Sequence, residues 1–253
     1  MIINNLSLVF SVVTTIISFI FAGIVLWRWV GARRHGRHSP YLLAWGIGLC
    51  LYGIGAFSQI VLYFVWSSFF FGLWYWAGAI AVAPWLGQGT VYLLWRKGNI
   101  ARNIQMALIL VCIMTLPWAL FLTPMNAAAW QPHTDMTPLI NDILTKGGVR
   151  VFSPIMNIWG TIALVGGAIY SAILFRRKQI LPNRMIGNWL IAAGGLFPAL
   201  GGSLIRAGVP ELKYVGEMIG VILIFAGFLL ATRVPEEVKE MHKRRRAASN
   251  PQA

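Results

Sequence analysis

Along this chain apolar residues gather in long runs, not at the two-residue or 3.6-residue spacing of half-buried strands and surface helices. Seven runs stand out, at 6–30, 41–64, 69–94, 103–123, 151–175, 185–207 and 214–233. A helix of about 20 apolar residues crosses the roughly 30 Å hydrocarbon layer of a bilayer, so each run predicts one membrane-spanning helix. Between them lie polar gaps: GARRHGRHSP, VWSS, RKGNIAR, the long segment 124–150, RRKQILPN and VPELK. The expected fold is an all-α membrane protein, a seven-transmembrane-helix bundle over residues 1–233 with a basic tail at 234–253. The first run lacks the basic start and small-residue cleavage site of a signal peptide and is read as a retained span.

Charge orients the bundle. Of the 21 lysines and arginines, all but Lys146, Arg150, Arg206 and Lys213 fall in the first, third and fifth gaps, at the ends of the spans beside them, or in the tail. Basic residues near span ends accumulate on the cytoplasmic side, so the N-terminus is expected outside and the tail inside. Shifting the chain by 144 residues lays FAGIVLWRWVGARRHGRHSPYLLAWGIG over VGGAIYSAILFRRKQILPNRMIGNWLIA without a gap. Gly23 then matches Gly167, Arg33 matches Arg177 and Trp45 matches Trp189. That alignment suggests a 3+1+3 parallel internal repeat with span 4 as connector, an arrangement also used by transporters. In the segment 124–150, Thr137 suits a helix cap, Pro138 a first helical position and Gly147 a helix end. A short interfacial helix is expected there, with Leu139, Ile140, Ile143 and Leu144 on one side.

Composition supports this reading and narrows the chemistry. Apolar residues make up 58% of the chain and charged residues 11%, against about 25% charge in a soluble protein. The net charge of +14 does not point to nucleic acid, because the basic residues sit at span ends; membrane lipids are the expected partner, and the HKRRR run of the tail suits anionic headgroups or a membrane-protein partner. Cys50 and Cys112 both lie in apolar runs, which argues against a disulfide framework and a zinc site. His35, His38, His133 and His242 all fall outside the spans, which removes bis-histidine haem and histidine metal sites there. Span 7 has no mid-depth lysine for a retinal Schiff base, and no nucleophile–base motif occurs. No cofactor, metal or catalytic role is expected.

Polar residues at membrane depth are costly and face a bundle interior or a watery cavity. They fall on helical stripes here. Span 2 carries Tyr52 and Gln59; span 3 carries Trp74, Trp85 and Gln88; span 5 carries Asn157; span 6 carries Asn188, Ser203 and Arg206; span 7 carries Lys213 and Glu217. The candidate ligand-binding set is Gln59, Trp74, Trp85, Gln88, Asn157, Ser203, Arg206 and Glu217. Arg206 and Glu217 flank a short hairpin and are expected to pair. Span 6 also holds GGLFPALGGSLIRAG, whose small residues suit close helix packing in lipid and whose Pro198 predicts a kink. The function expected from all this is a receptor-like sensor or binding subunit of the plasma (cytoplasmic) membrane, with a small-molecule or lipid pocket open to the outer face. A small alternating-access transporter and a non-catalytic subunit of a larger membrane complex are the alternatives.

Overall fold

The computed structural model describes the backbone of residues 2–178, 181–206 and 211–232, and the side chains of 6–178, 181–200 and 212–232. These residues form helices and no strands: α1 (Ile2–Arg34), α2 (Pro40–Phe64), α3 (Ser68–Leu94), α4 (Ile100–Leu122), short α5 (Met136–Ile143), α6 (Gly148–Arg177), α7 (Pro182–Arg206) and α8 (Glu211–Ala231). Six of them, α1, α2, α3, α4, α6 and α8, are long and apolar enough to cross a membrane, which suits a multi-pass membrane protein. The tail 234–253 lies outside the described residues.

Local chemistry explains where these helices begin. Pro40 opens α2, where its missing N–H costs nothing. The Ser67 hydroxyl accepts from Phe70 N at 3.4 Å and caps α3. Gly36 and Gly98, with φ of +68° and +74°, turn the chain in two basic gaps through the left-handed region that glycine tolerates.

Helix neighbours trace a closed ring: α1 packs on α2, α2 on α3, α3 on α6, α6 on α7, α7 on α8, and α8 back on α1. Helix α4 stands outside this ring against α3, with Ile113 and Phe121 64% and 73% exposed. Three polar ties hold it. Trp76 Nε1 donates to Thr115 Oγ1 at 3.1 Å, Trp85 Nε1 to Cys112 Sγ at 3.3 Å, and Gln88 Nε2 to Ala101 O at 2.7 Å.

Proline and glycine fix the two closest contacts in the ring. In α3 a π-helical turn, Tyr75–Ala81, precedes Pro84, which has no N–H to offer the carbonyls of Ile80 and Ala79. Asn157 of α6 donates to Ala79 O at 2.5 Å, and Gly160 packs directly on the backbone of Ala83 and Pro84. In α7, Pro198 likewise leaves Gly194 O without its helical donor, and that carbonyl faces α8 at Gly220. A Cβ on Gly194 would stand 2.7 Å from Gly220 O, and one on Gly187 2.6 Å from Gly227 O. Gly187 and Gly194, the latter heading the GGLFPALGG stretch, thus let two backbones touch. Helix α7 continues through Pro198 without a break.

The segment 124–150 differs from expectation in its cap and its place. Asp135, not Thr137, caps α5, its carboxylate accepting from Thr137 N at 2.7 Å. The helix ends at Ile143, while Gly147, with φ of +91°, turns the chain into α6. Met136, Thr137, Ile143 and Leu144 are buried, and Leu139 and Ile140 pack on the same core. So α5 is tucked into one end of the bundle, where a carboxylate closer to the first N–H groups outcompetes the threonine. The backbone irregularities do not follow the 144-residue shift: α6 has a π-helical turn at Ile162–Gly166, whereas α1 is regular over 18–22.

Candidate functional site at the α5 end of the bundle

Helix α1 brings hydroxyls that the sequence stripes did not include. Ser7, Ser11, Thr14 and Ser18 follow one another at four, three and four residues, the spacing of one helical face. All four are buried, Thr14 to 1% and Ser18 to 0% exposure. Elsewhere buried hydroxyls fold back on the preceding turn, as Ser58 does on Ile54 O and Thr115 on Val111 O. Thr14 Oγ1 and Ser18 Oγ have no partner. A buried hydroxyl without a partner costs about 1–3 kcal/mol.

Opposite Ser11 stands Gln59 of α2, 7% exposed. Two N–H donors, Trp74 Nε1 at 2.9 Å and Lys213 Nζ at 3.2 Å, face one end of its amide, against a single Glu217 oxygen at 3.5 Å. The amide oxygen therefore turns to the donors, and Nε2 donates to Ser11 Oγ at 3.0 Å. Lys213 Nζ also lies 3.2 Å from Glu217 Oε1, donates to Thr137 Oγ1 at 3.2 Å, and sits 5.2 Å from the Trp74 ring centre. At this distance the indole face adds to the attraction of the ammonium. About two turns along α2 from Gln59, Tyr52 OH donates to Glu217 O at 2.8 Å.

Helix α5 closes the cluster. Asp135 Oδ1 accepts from Tyr214 OH as well as from Thr137 N. Asp135 Oδ2 is buried with no partner. Beside it is a recess lined by Ser7, Leu8, Ser11, Gln59, Tyr63, Thr134, Asp135, Met136 and Tyr214. Its non-atom space of about 250 Å³ includes open solvent, and its interior has room for about one water molecule.

Of the residues picked from the sequence, Gln59, Trp74 and Glu217 come together here. Trp85, Gln88 and Asn157 do not: each joins α3 to α4 or α6. Glu217 pairs with Lys213, four residues before it on the same helix. Ser203 and Arg206 lie outside the described side chains, and with them the expected Arg206–Glu217 contact. No family model, characterised protein or solved structure matches this chain. The site is therefore judged on its own geometry.

Below the cluster the polar face ends. The register that sets Ser11 opposite Gln59 in antiparallel helices sets Ser18 level with Tyr52. Past Ser18 comes an aromatic plug: Phe21 stacks on Phe225 with centroids 4.6 Å apart, and Phe228 lies 5.3 Å from Phe21 and 5.8 Å from Trp45. From Ser7 to Ser18 the helix rises roughly 16 Å, about half the hydrocarbon thickness.

The residues missed were Ser7, Ser11, Thr14 and Ser18, with Asp135, Thr137, Lys213 and Tyr214 as partners. The hydroxyl spacing in the first run was the available signal. Serine and threonine are mild in hydropathy, so they vanish inside a strongly apolar run.

Proposed function

We propose that the protein is a receptor-like sensor or binding subunit of the plasma membrane, which takes a small ligand into the recess at the α5 end. The observation that supports this best is the one-sided polar face: hydroxyls, an amide and a paired lysine and glutamate descend halfway into the bundle and stop at an aromatic plug. A binding protein needs only one opening. A transporter would need the plug of Phe21, Phe225, Phe228 and Trp45 to part during its cycle.

With this goes a topology of seven spans, N-terminus outside and residues 234–253 inside. Helix α7 supports the seventh crossing: its 25 residues would be about 37 Å long, and it packs between α6 and α8. The basic gaps at Arg33–Arg37, Arg96–Lys97 and Arg176–Lys178 support the orientation. The 3+1+3 relation is supported by the 144-residue alignment and by the place of α4 outside the ring.

Accessibility tests the proposal. In a background without Cys50 and Cys112, a cysteine at Thr134, the half-buried residue on the rim of the recess, should react with an impermeant reagent added outside the cell. Cysteines at Gln88 and Asn188 should stay unreactive from either side. Reaction of the inner pair from the cytoplasm, suppressed by an outside ligand, would establish a transporter instead.

A further inference from the structure

We propose that the Asp135 recess binds a small monovalent cation, either an inorganic ion such as Na⁺ or the ammonium group of an amine ligand. This deepens the proposed function by naming the ligand's chemistry, and it rests on the recess opening outward as proposed there.

Charge selects the sign. Lys213 is engaged by Glu217 at 3.2 Å and by Thr137 and Gln59 at the same distance. That leaves Asp135 as the carboxylate of the cluster without an ion-pair partner among the described residues. Its Oδ1 already accepts from Thr137 N and Tyr214 OH, which hold the carboxyl group in place. Its Oδ2 is buried, has no partner and lines the recess. A buried carboxylate oxygen in that position is costly until something neutralises it.

The other groups select the kind of cation. Ser11, Thr134 and Tyr214 offer neutral oxygens around the same space, and oxygen donors suit a hard cation or an N⁺–H donor. Two observations count against a divalent ion. Calcium sites gather several oxygen ligands with more than one carboxylate, and magnesium keeps several waters for which the recess has no room; and the described residues contain no group of three His, Cys, Asp or Glu side chains that would hold a metal. Size excludes bulky cations, because the interior admits about one water-sized group. The orphan hydroxyls of Thr14 and Ser18 lie deeper on the same helix face, below the recess.

The experiment measures thermal unfolding of the full chain in nanodiscs, titrated with NaCl, ethylammonium chloride or N-methylglucamine chloride at constant ionic strength. The bulky N-methylglucamine cation is the screening control. A bound cation should raise the midpoint with the logarithm of its concentration above the dissociation constant, by about 5 °C at tens of times that constant. A rise with sodium alone assigns an inorganic ion; a rise with ethylammonium alone assigns an amine head; both outcomes support the site. Asp135→Asn keeps the cap on Thr137 N, because asparagine also caps, and should abolish the rise. Should that variant fail to fold, Ser11→Ala decides in its place, by requiring at least ten times more cation for the same rise. The proposal is overturned if neither cation acts beyond N-methylglucamine, or if the response survives both substitutions unchanged. A cysteine at Thr134 that labels from outside while no cation stabilises the protein would sink this inference and leave the proposed function standing. A cysteine there that never labels would sink the function reading itself.

Discussion

Alanine at Gly194 should loosen the bundle, although alanine is the better helix former. The substitution gains about 1 kcal/mol of helix propensity. Against this, its Cβ would stand 2.7 Å from Gly220 O and 2.8 Å from Ile224 N. Both are backbone atoms of α8, which cannot rotate away as a flexible side chain would. A carbon needs roughly 0.5 Å more room than this, so α7 and α8 must separate along their most extensive contact. A gap of 0.5–1 Å forfeits about a quarter to a half of each dispersion contact it opens, and overpacking of this kind costs about 1–3 kcal/mol. Packing, not hydrophobic burial, holds helices together in lipid, so the loss outweighs the gain. A net cost of about 1–2 kcal/mol is expected, or roughly 3–6 °C in the unfolding midpoint of a chain this size. Gly220→Ala should cost a similar amount, because its Cβ would stand 2.8 Å from Gly194 O. The double variant should cost less than the sum, since one separation relieves both clashes. Gly23→Ala is the control: nothing lies within 4 Å of its Cβ position, so only the propensity gain remains and stability should hold or rise. Thermal unfolding in one detergent compares all four. If Gly194→Ala stabilises as much as Gly23→Ala, the backbones do not approach as described.

Other substitutions probe the rest of the bundle. Lys213→Ala and Glu217→Ala should each destabilise, and the double variant should show a coupling of about 1 kcal/mol, between the surface and buried limits for ion pairs, because the side chains are 15% and 20% exposed; simple additivity would mean the pair is geometric only. Asn157→Leu leaves Ala79 O without its 2.5 Å donor and should cost about 1 kcal/mol, the scale of interhelical hydrogen bonds in membranes; an unchanged midpoint would show that the π-helical turn satisfies itself. Ser18→Ala removes an unpartnered hydroxyl and should raise stability by about 1 kcal/mol; a loss would show that Ser18 has a partner. A reporter fused after Ala253 should be active only in the cytoplasm, and activity outside would reverse every loop.

The helices were legible in the sequence because membrane depth sets a length that no loop can imitate. The run at 41–64 became Pro40–Phe64, 69–94 became Ser68–Leu94, and 103–123 became Ile100–Leu122. The glycines of span 6 were legible as a packing face, since only small residues admit a second backbone. The site was legible in part. Gln59, Trp74 and Glu217 stood out as polar or aromatic residues in apolar surroundings, and they do meet. Their grouping with Asn157, Trp85 and Gln88 was not readable, because a stripe gives a face and not the neighbour it meets. The Lys213–Glu217 pair was within reach as an i,i+4 spacing, but the hairpin drew attention to Arg206. The role of α5 was out of reach, since burial of Thr137 and Met136 depends on tertiary contacts that a loop sequence does not encode.

The closing contact of the ring joins the first helix to the last, and this has a consequence for biosynthesis. Until α8 is made, the inward face of α1, with Ser7, Ser11, Thr14 and Ser18, has one flank open to the lipid or to the insertion machinery. At about 5–20 residues per second, the roughly 175 residues between Arg34 and Glu211 take about 9–35 s to synthesise. A nascent chain halted after α7 is an open arc with hydroxyls bared at bilayer depth, a form that quality-control proteases and chaperones of the membrane are suited to recognise. Release from them should coincide with the arrival of α8, so that stability is acquired in one late step and not helix by helix.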